Sequence, residues 1–339
     1  MRVSGVEAIG IASAVPSYVE KVDEIGAFSP AQAEKFSKVT GISERRLARP
    51  GTYVSDLIFA SIEKLLNDVP VLPSQIGALI TITQTGDNAA PGVALKVASL
   101  LGCDQQMLAF DVNLGCSSFP YGLAIASSLM STLNLEYTLL TIGDISSRIC
   151  HPEDMATYPL FGDAGAAILL RRGEDNNGYM YFDLNSDGSG RHDIFIKSAG
   201  LSSEFPPLDL QLCEKNSAHM ELKGANVFSF AIDKAPKSIK AVLTEANMEQ
   251  PDVCVLHQAN KKINDFIERS LSFGNCYFPS SLKHFGNTSS VTIPLTLVTN
   301  FGGSAMSANV LACGFGVGLS WGSVLTKFNK CHISKLVEV

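Results

Sequence analysis

Three residues that lie far apart in the 339-residue sequence are of types that could carry out chemistry together: Cys116, His257 and Asn287. Cys116 stands between a short apolar run, "MLAFDVN", and a series of apolar and small residues that recur at helical spacing to about Leu133. A thiol at the start of a helix lies at the positive end of the helix dipole, which stabilises a thiolate. We therefore expect Cys116 to have a lowered pKa and to act as a nucleophile.

His257, in "VLHQAN", ends an apolar run, and Asn287, in "HFGNTSS", follows a glycine. Each of the three residues also has a simpler interpretation: a small buried hydrophobic residue, a core histidine with satisfied hydrogen bonds, and a turn asparagine. Taken together, they indicate acyl chemistry. A thiolate can accept an acyl group as a thioester, and an imidazole and an amide that donate to one oxygen can stabilise an enolate formed by decarboxylation.

The elements that would position these residues follow an α/β pattern. "IGALITITQ" precedes "PGVALKVASLLG", "MLAFDVN" precedes the Cys116 helix, and "YTLLTIGDI" follows it. The polar stretch "RRGEDNNG" predicts a boundary between an N-terminal half, 1–175, and a C-terminal half, 176–339. In the second half, "DVCVLHQ" predicts a strand before the helix "ANKKINDFIERSL". Both Cys116 and His257 thus follow a strand and precede a helix, so we expect them to occupy related positions and to face one site.

Composition excludes several classes of function. The net charge of -7, without a block of lysine or arginine, argues against nucleic acid as the main partner. No apolar run reaches the length of about 18 residues that suggests a membrane span, and the N-terminus does not read as a signal peptide, so we expect a cytoplasmic protein. The eight cysteines form no CxxC pair, the histidines form no HExxH motif, and no phosphate-binding loop is present. We expect neither a metal nor a cofactor.

Several motifs resemble one family in order along nearly the whole chain: "TGISERR", "GCSSF.YGL", "FGDAGAA", "LHQAN", "GNTSS..IP" and "GFGVGLSWGS". They are similar to the β-ketoacyl-acyl carrier protein synthase III family of the thiolase superfamily. The resemblance implies a duplicated α/β/α/β/α layered fold with two central mixed sheets, usually as a homodimer. It also implies that Cys116 is the acylated nucleophile and that His257 and Asn287 serve decarboxylation. The backbone N–H groups of Cys116 and Val317 would form the oxyanion hole.

The resemblance implies a function as well. A transferase of this kind joins an acyl primer to a malonyl thioester by decarboxylative Claisen condensation, in fatty acid or polyketide-like biosynthesis, with acyl carrier protein and acyl thioesters as partners. Departures from the family pattern concern the primer. Lys35, Val39 and Met155 replace residues that usually bind coenzyme A. These replacements argue against coenzyme A as the primer donor and favour a primer that is bound to a carrier protein. Ala90 replaces a phenylalanine that limits the acyl pocket, so a longer or bulkier primer is expected.

Other interpretations remain open at this point. A thiolase-fold acyltransferase could move an acyl group onto an oxygen or nitrogen acceptor, although such branches often alter the asparagine. A reaction like that of hydroxymethylglutaryl-coenzyme A synthase would need a glutamate where Gln84 stands. A papain-type protease shares the order of Cys, His and Asn, but the sequence around its cysteine differs. A noncatalytic partner subunit would be expected to lose one of the three residues.

Overall fold

The computed structural model describes residues 1–103, 106–173, 179–196 and 219–339. The strands of these residues are β1 (Arg2–Ser4), β2 (Val6–Val15), β3 (Val19–Lys21), β4 (Glu44–Arg46), β5 (Ile76–Ile82), β6 (Leu108–Val112), β7 (Tyr137–Ile145), β8 (Asp163–Arg172), β9 (Tyr179–Ser186), β10 (Ile194–Ile196), β11 (Met220–Leu222), β12 (Val253–Leu256), β13 (Ser304–Gly316), β14 (Ser320–Ile333) and β15 (Val337–Glu338). The α-helices are α1 (Pro30–Thr40), α2 (Val54–Asp68), α3 (Val93–Leu101), α4 (Ser118–Leu133), α5 (Gly224–Glu245), α6 (Lys261–Leu271), α7 (Leu282–Phe285) and α8 (Thr292–Phe301).

The first half of the chain forms a mixed sheet in the order β6-β5-β7-β8-β2. Strands β6, β5 and β7 are parallel to one another, β8 is antiparallel to β7, and β2 is antiparallel to β8. The short C-terminal strand β15 adds to β2. The connections from β5 to β6 and from β6 to β7 pass through α3 and α4, as parallel neighbours require.

The second half repeats this arrangement. Its order is β12-β13-β14-β9, with β12 parallel to β13, β14 antiparallel to β13, and β9 antiparallel to β14. A single parallel bridge from Val253 to Tyr277 stands where β6 stands in the first half. The two sheets join through a short parallel pairing of β14 with β2, at His332–Gly10 and Ile333–Ile11. The prediction of a duplicated fold with two central mixed sheets is confirmed.

The helices and the two sheets stack in five layers, with a layer of helices on each outer face and a third layer of helices between the sheets. Helices α2 and α3 pack on the outer face of the first sheet, and α5 and α6 pack on the outer face of the second. Between the sheets, α4 and α8 share one core with strands of both halves. Helix α4 faces this core with Phe119, Leu123, Ala126 and Met130, all at most 1% exposed. Their spacing of three and four residues is that of one helix face, which explains why this sequence folds as a buried helix here.

The predicted strands and helices around the candidate residues are present. The boundary predicted at residue 175 lies outside the described residues. The expectation that Cys116 and His257 occupy related positions is wrong. Strand order makes β12 the counterpart of β5, so that His257 corresponds to Gln84, and it makes α8 the counterpart of α4, so that Asn287 corresponds to Cys116.

Candidate active site

Cys116 lies in the turn that joins the carboxyl end of β6 to the start of α4, two residues before the first residue of the helix. The end of β13 and the loop that joins it to β14 lie against this cysteine. Gly316 of β13 packs directly against the cysteine, and a Cβ at this glycine would lie 2.6 Å from both Cβ and Sγ of Cys116. The N–H of Val317 lowers the pKa of this sulfur. Cys116 is therefore held by residues about 200 positions away in the sequence.

The expected lowering of the cysteine pKa is wrong. Burial raises the pKa of Cys116 to about 11; the N–H of Val317 lowers it by less, the negative charge of Asp144 raises it further, and the N–H of Cys116 itself has the smallest lowering effect. Removing a thiolate from water costs more than the helix start and two hydrogen bonds return. Cys116 is consequently a thiol at neutral pH.

His257 follows the last residue of β12 and is 2% exposed. Its backbone N–H donates to the carbonyl of Cys313 in the neighbouring parallel strand, at 2.8 Å. Its ring packs edge-on against Phe315, with the ring centroids 5.4 Å apart, and its Nδ1 lies 2.7 Å from Oγ1 of Thr292. Burial lowers the pKa of His257 to about 3, so the imidazole is neutral across the physiological range.

Asn287 is 6% exposed and is fixed by its backbone and its side chain. Its N–H donates to the carbonyl of Leu160 at 2.9 Å, and its own carbonyl accepts from the N–H of Gly162 at 3.1 Å. The side-chain Oδ1 accepts from the N–H of Ser289 at 2.9 Å. With its oxygen occupied in this way, the amide is left with its Nδ2 hydrogens to offer to a ligand.

One cavity, of about 80 Å³, brings the three residues together. Cys116, His257 and Asn287 all line it, as does Val317. Most of the remaining wall is apolar and comprises Leu160, Phe161, Ile194, Met220, Leu222, Val227, Ala259, Ile263 and Phe315. The cavity thus combines an apolar wall, suited to an acyl chain, with a thiol and two polar groups at one place.

The Val317 peptide is itself held in place. Oγ of Ser320 donates to the carbonyl of Val317 at 2.7 Å and lies 2.7 Å from Oγ of Ser117. This pair links the start of α4 to the loop between β13 and β14, so that the N–H of Val317 stays against the thiol. The oxyanion hole that the resemblance implies at the N–H groups of Cys116 and Val317 stays a prediction.

The residues predicted to set primer choice lie elsewhere. Ala90 is exposed and does not line the cavity of its own chain. Lys35 and Val39 are exposed on α1, and Met155 is half-buried; none of the three lines the cavity.

Sequence reasoning missed the carboxylate that braces the site. Asp144, at the end of β7, is fully buried and accepts from the N–H of Gln84 at 2.9 Å and from Oγ1 of Thr85 at 2.9 Å. Its other oxygen accepts from Oγ of Ser290 at 2.5 Å. It thereby ties the loop after β5 to the loop that carries Asn287. A charged residue at the end of the apolar run "YTLLTIGDI" was the signal that could have identified it.

Gln84 forms part of the cavity wall, although it entered the sequence analysis only as an argument against another reaction. Its Nε2 lies 3.3 Å from Oδ1 of Asn113.

Within the described ranges, no helix has the length and apolar character needed to cross a bilayer. The same residues contain no cluster of His, Cys, Asp and Glu side chains that could hold a metal ion.

Two family models match the segments that carry the three residues. The family model for 3-oxoacyl-[acyl-carrier-protein] synthase III matches residues 110–188, which include Cys116. The model for the C-terminal part of the same family matches residues 243–328, which include His257 and Asn287.

Relatives match over almost the full chain. The β-ketoacyl-[acyl-carrier-protein] synthase III of Clostridium acetobutylicum is 31% identical over 96% of this chain and 100% of its own length. The enzyme of the same name from Natranaerobius thermophilus is 32% identical over 96% of this chain and 100% of its own length. The crystal structure of a 3-oxoacyl-(acyl-carrier protein) synthase from Burkholderia xenovorans LB400 superposes with a TM-score of 0.93 and 28% identity, covering 100% of this chain and 98% of that one. The chain belongs to the β-ketoacyl-acyl carrier protein synthase III family.

Proposed function

We propose that this protein is a condensing enzyme that joins an acyl primer to a malonyl thioester on an acyl carrier protein. The reaction has two halves, loading of the primer onto Cys116 and decarboxylative condensation. The observation that carries the proposal is the single cavity in which a thiol, a neutral imidazole and an oriented amide meet. Family membership supports the same reaction.

In the loading step, the sulfur of Cys116 attacks the carbonyl carbon of an acyl thioester. The bond from that carbon to the donor sulfur breaks, and the proton of the cysteine ends on the departing thiolate. The N–H groups of Cys116 and Val317 stabilise the oxyanion that forms on the way. Because the pKa of Cys116 is raised to about 11, the resting sulfur carries a proton at neutral pH and must lose it in this step.

In the condensation step, the bond between the malonyl carboxylate and its methylene carbon breaks, which releases carbon dioxide and leaves an enolate. Hydrogen bonds from His257 and Asn287 to the thioester oxygen stabilise that negative charge. The enolate carbon then attacks the acyl group on Cys116, the carbon–sulfur bond breaks, and the released cysteine thiolate takes a proton from water. The product is a 3-oxoacyl thioester on the carrier.

Intact-protein mass spectrometry after incubation with acyl donors tests the loading step. We expect the wild-type chain to gain one acyl mass, and we expect Cys116→Ala to gain none while its circular dichroism spectrum stays unchanged. Subsequent addition of malonyl-carrier protein should remove that mass and release carbon dioxide. Transfer of the acyl group to an oxygen or nitrogen acceptor, without release of carbon dioxide, would instead identify an acyltransferase.

The primer is proposed to be longer or bulkier than acetyl. In the family pattern, the residue at the position of Ala90 closes the acyl pocket of the partner subunit, and its exposure here is consistent with that role. Each methylene that the pocket buries contributes about 0.8 kcal/mol. Ala90→Phe should therefore shift the preference from longer acyl thioesters toward acetyl, measured as kcat/KM over a series of chain lengths. A wild-type enzyme that prefers acetyl would contradict this assignment.

Docking of an acidic carrier is supported by lysines near the cavity. Lys35 and Lys38 are exposed on α1, which packs against α6. Lys262 lies at the start of α6, next to Ile263 of the cavity wall, with its Nζ 5.0 Å from the ring centroid of Phe228. Competition between donors attached to coenzyme A and to carrier protein will decide which one delivers the primer.

A homodimer in the cytoplasm is the proposed working state. Exposed apolar side chains cluster on α3 and on β6, which lies at the edge of the sheet: Leu95, Leu100, Leu108 and Phe110 are 37% to 53% exposed. An apolar strip of this kind along a sheet edge is a candidate interface. Sedimentation equilibrium should give twice the chain mass of 36.2 kDa, and a mass of one chain would contradict the dimer.

A further inference from the structure

The contact between His257 and Thr292 bears on which nitrogen of the histidine carries the proton. Thr292 is the first residue of α8 and is 1% exposed. Its Oγ1 lies 2.7 Å from Nδ1 of His257. In the described part of the chain, Nε2 of His257 has no protein partner, and the ring lines the cavity. Nε2 is thus the nitrogen available to a bound substrate.

The direction of the hydrogen bond follows from what each group can satisfy. His257 is the only hydrogen-bond partner of the Thr292 hydroxyl among the described residues. If Nδ1 carried the proton, the hydroxyl hydrogen would be buried without an acceptor, which is costly. If the hydroxyl donates to Nδ1, that hydrogen and the Nδ1 lone pair are both satisfied. A neutral imidazole has one N–H, which then lies on Nε2.

We propose that Thr292 is a positioning residue that holds His257 in the tautomer with its proton on Nε2. The histidine is then a hydrogen-bond donor toward the cavity and has no lone pair there with which to act as a base. The identity of the oxygen that receives this hydrogen bond rests on the proposed function.

A hydrogen bond to its acceptor atom also orients the side chain of Asn287. Its Oδ1 accepts from the N–H of Ser289, three residues before Thr292, so that its amide hydrogens are left for the cavity. The segment Ser289–Thr292 thus occupies the acceptor atom of each side chain and directs two donors toward one place. Asp144 holds the middle of this segment through Ser290.

Nitrogen-15 NMR of protein labelled at histidine tests the tautomer without any substrate, because protonated and unprotonated ring nitrogens resonate at well-separated frequencies. His257→Gln identifies the signals of His257. We expect a protonated Nε2 and an unprotonated Nδ1 in the wild-type chain at pH 7. A proton on Nδ1 would overturn the proposal.

Two variants of Thr292 test the consequence for the reaction. Thr292→Val removes the hydroxyl and keeps the shape of the side chain. We expect the rate of decarboxylation of malonyl-carrier protein to fall by about tenfold or more, but by less than the loss of about 1,000-fold that removal of a donor itself can cause. Acyl loading of Cys116 should change far less. Thr292→Ser, which retains the hydroxyl, should restore most of the decarboxylation rate.

Equal rates for Thr292→Val and the wild type would overturn the proposal, as would an equal loss of loading and decarboxylation in the valine variant, which would show a structural role. Circular dichroism and the unfolding midpoint will establish that each variant is folded. Failure of the proposed function gives a different result: the wild-type chain would release no carbon dioxide from malonyl-carrier protein, whereas the NMR measurement would still report the tautomer.

Discussion

Substitution of Gly316 by alanine should slow acyl loading of Cys116 through steric displacement alone. A Cβ at this position would lie 2.6 Å from both Cβ and Sγ of Cys116. Carbon and sulfur atoms that are not bonded normally approach to about 3.5–4.0 Å, so one side of the contact must move by about 1 Å. Gly316 lies within β13, which pairs with β14, so we expect the cysteine side chain to move. A displacement of about 1 Å at a reacting group can cost about 100-fold in rate.

The assay is the rate at which Cys116 gains an acyl mass, followed by intact-protein mass spectrometry. Gly274→Ala is a matched control, because a Cβ at Gly274 meets no atom within 4 Å. We expect the control to load at the wild-type rate and Gly316→Ala to load about 100-fold more slowly. Overpacking also destabilises a core by about 1–3 kcal/mol, so both rates are compared at a temperature where circular dichroism shows folded protein.

Loading of Gly316→Ala at the wild-type rate would refute the reasoning. That result would mean that the thiol has room to move and that β13 does not fix its position. A slow Gly274→Ala would show instead that any added methyl group disturbs the assay.

Three further predictions concern the polar groups of the site and the other thiols. Asn287→Ala should slow decarboxylation of malonyl-carrier protein by about 100- to 1,000-fold while acyl loading persists; an equal loss of both half-reactions would assign the residue to structure. The pKa of His257 falls from 6.5 to about 3 on burial, so below pH 6.5 the unfolded chain binds a proton that the folded chain does not. As the pH falls from 6.5 to 3, this histidine should therefore lower the free energy of unfolding by about 1.4 kcal/mol for each pH unit. Denaturant titrations of His257→Gln should lack that contribution. A hydrogen bond from Cys254 lowers the pKa of Cys276, whereas burial raises that of Cys116, so iodoacetamide at pH 7 should modify Cys276 before Cys116 in peptide mass maps. In Cys276→Ser, alkylation of Cys116 should accelerate about tenfold per pH unit toward pH 11, and rapid alkylation at pH 7 would show a stabilised thiolate.

Local sequence was sufficient for the elements and for the family. Apolar runs that end in a polar residue, followed by helical periodicity, predicted both the strand before Cys116 and the strand before His257, because such patterns depend only on near neighbours. Ordered motifs around Cys116, His257 and Asn287 then indicated the reaction. These conclusions required no knowledge of how the strands pair.

Tertiary structure decided the rest. Strand order showed that Cys116 corresponds to Asn287 in the duplicated halves, since two strand–helix units of similar sequence pattern do not reveal their places in a sheet. The pKa of Cys116 is raised because β13 and the loop after it, 200 residues away in sequence, remove water from the sulfur. Likewise, the hydroxyl that orients His257 comes from α8, and the carboxylate that braces both loops comes from β7. Desolvation and hydrogen-bond direction depend on contacts across the fold, and local periodicity carries no information about them.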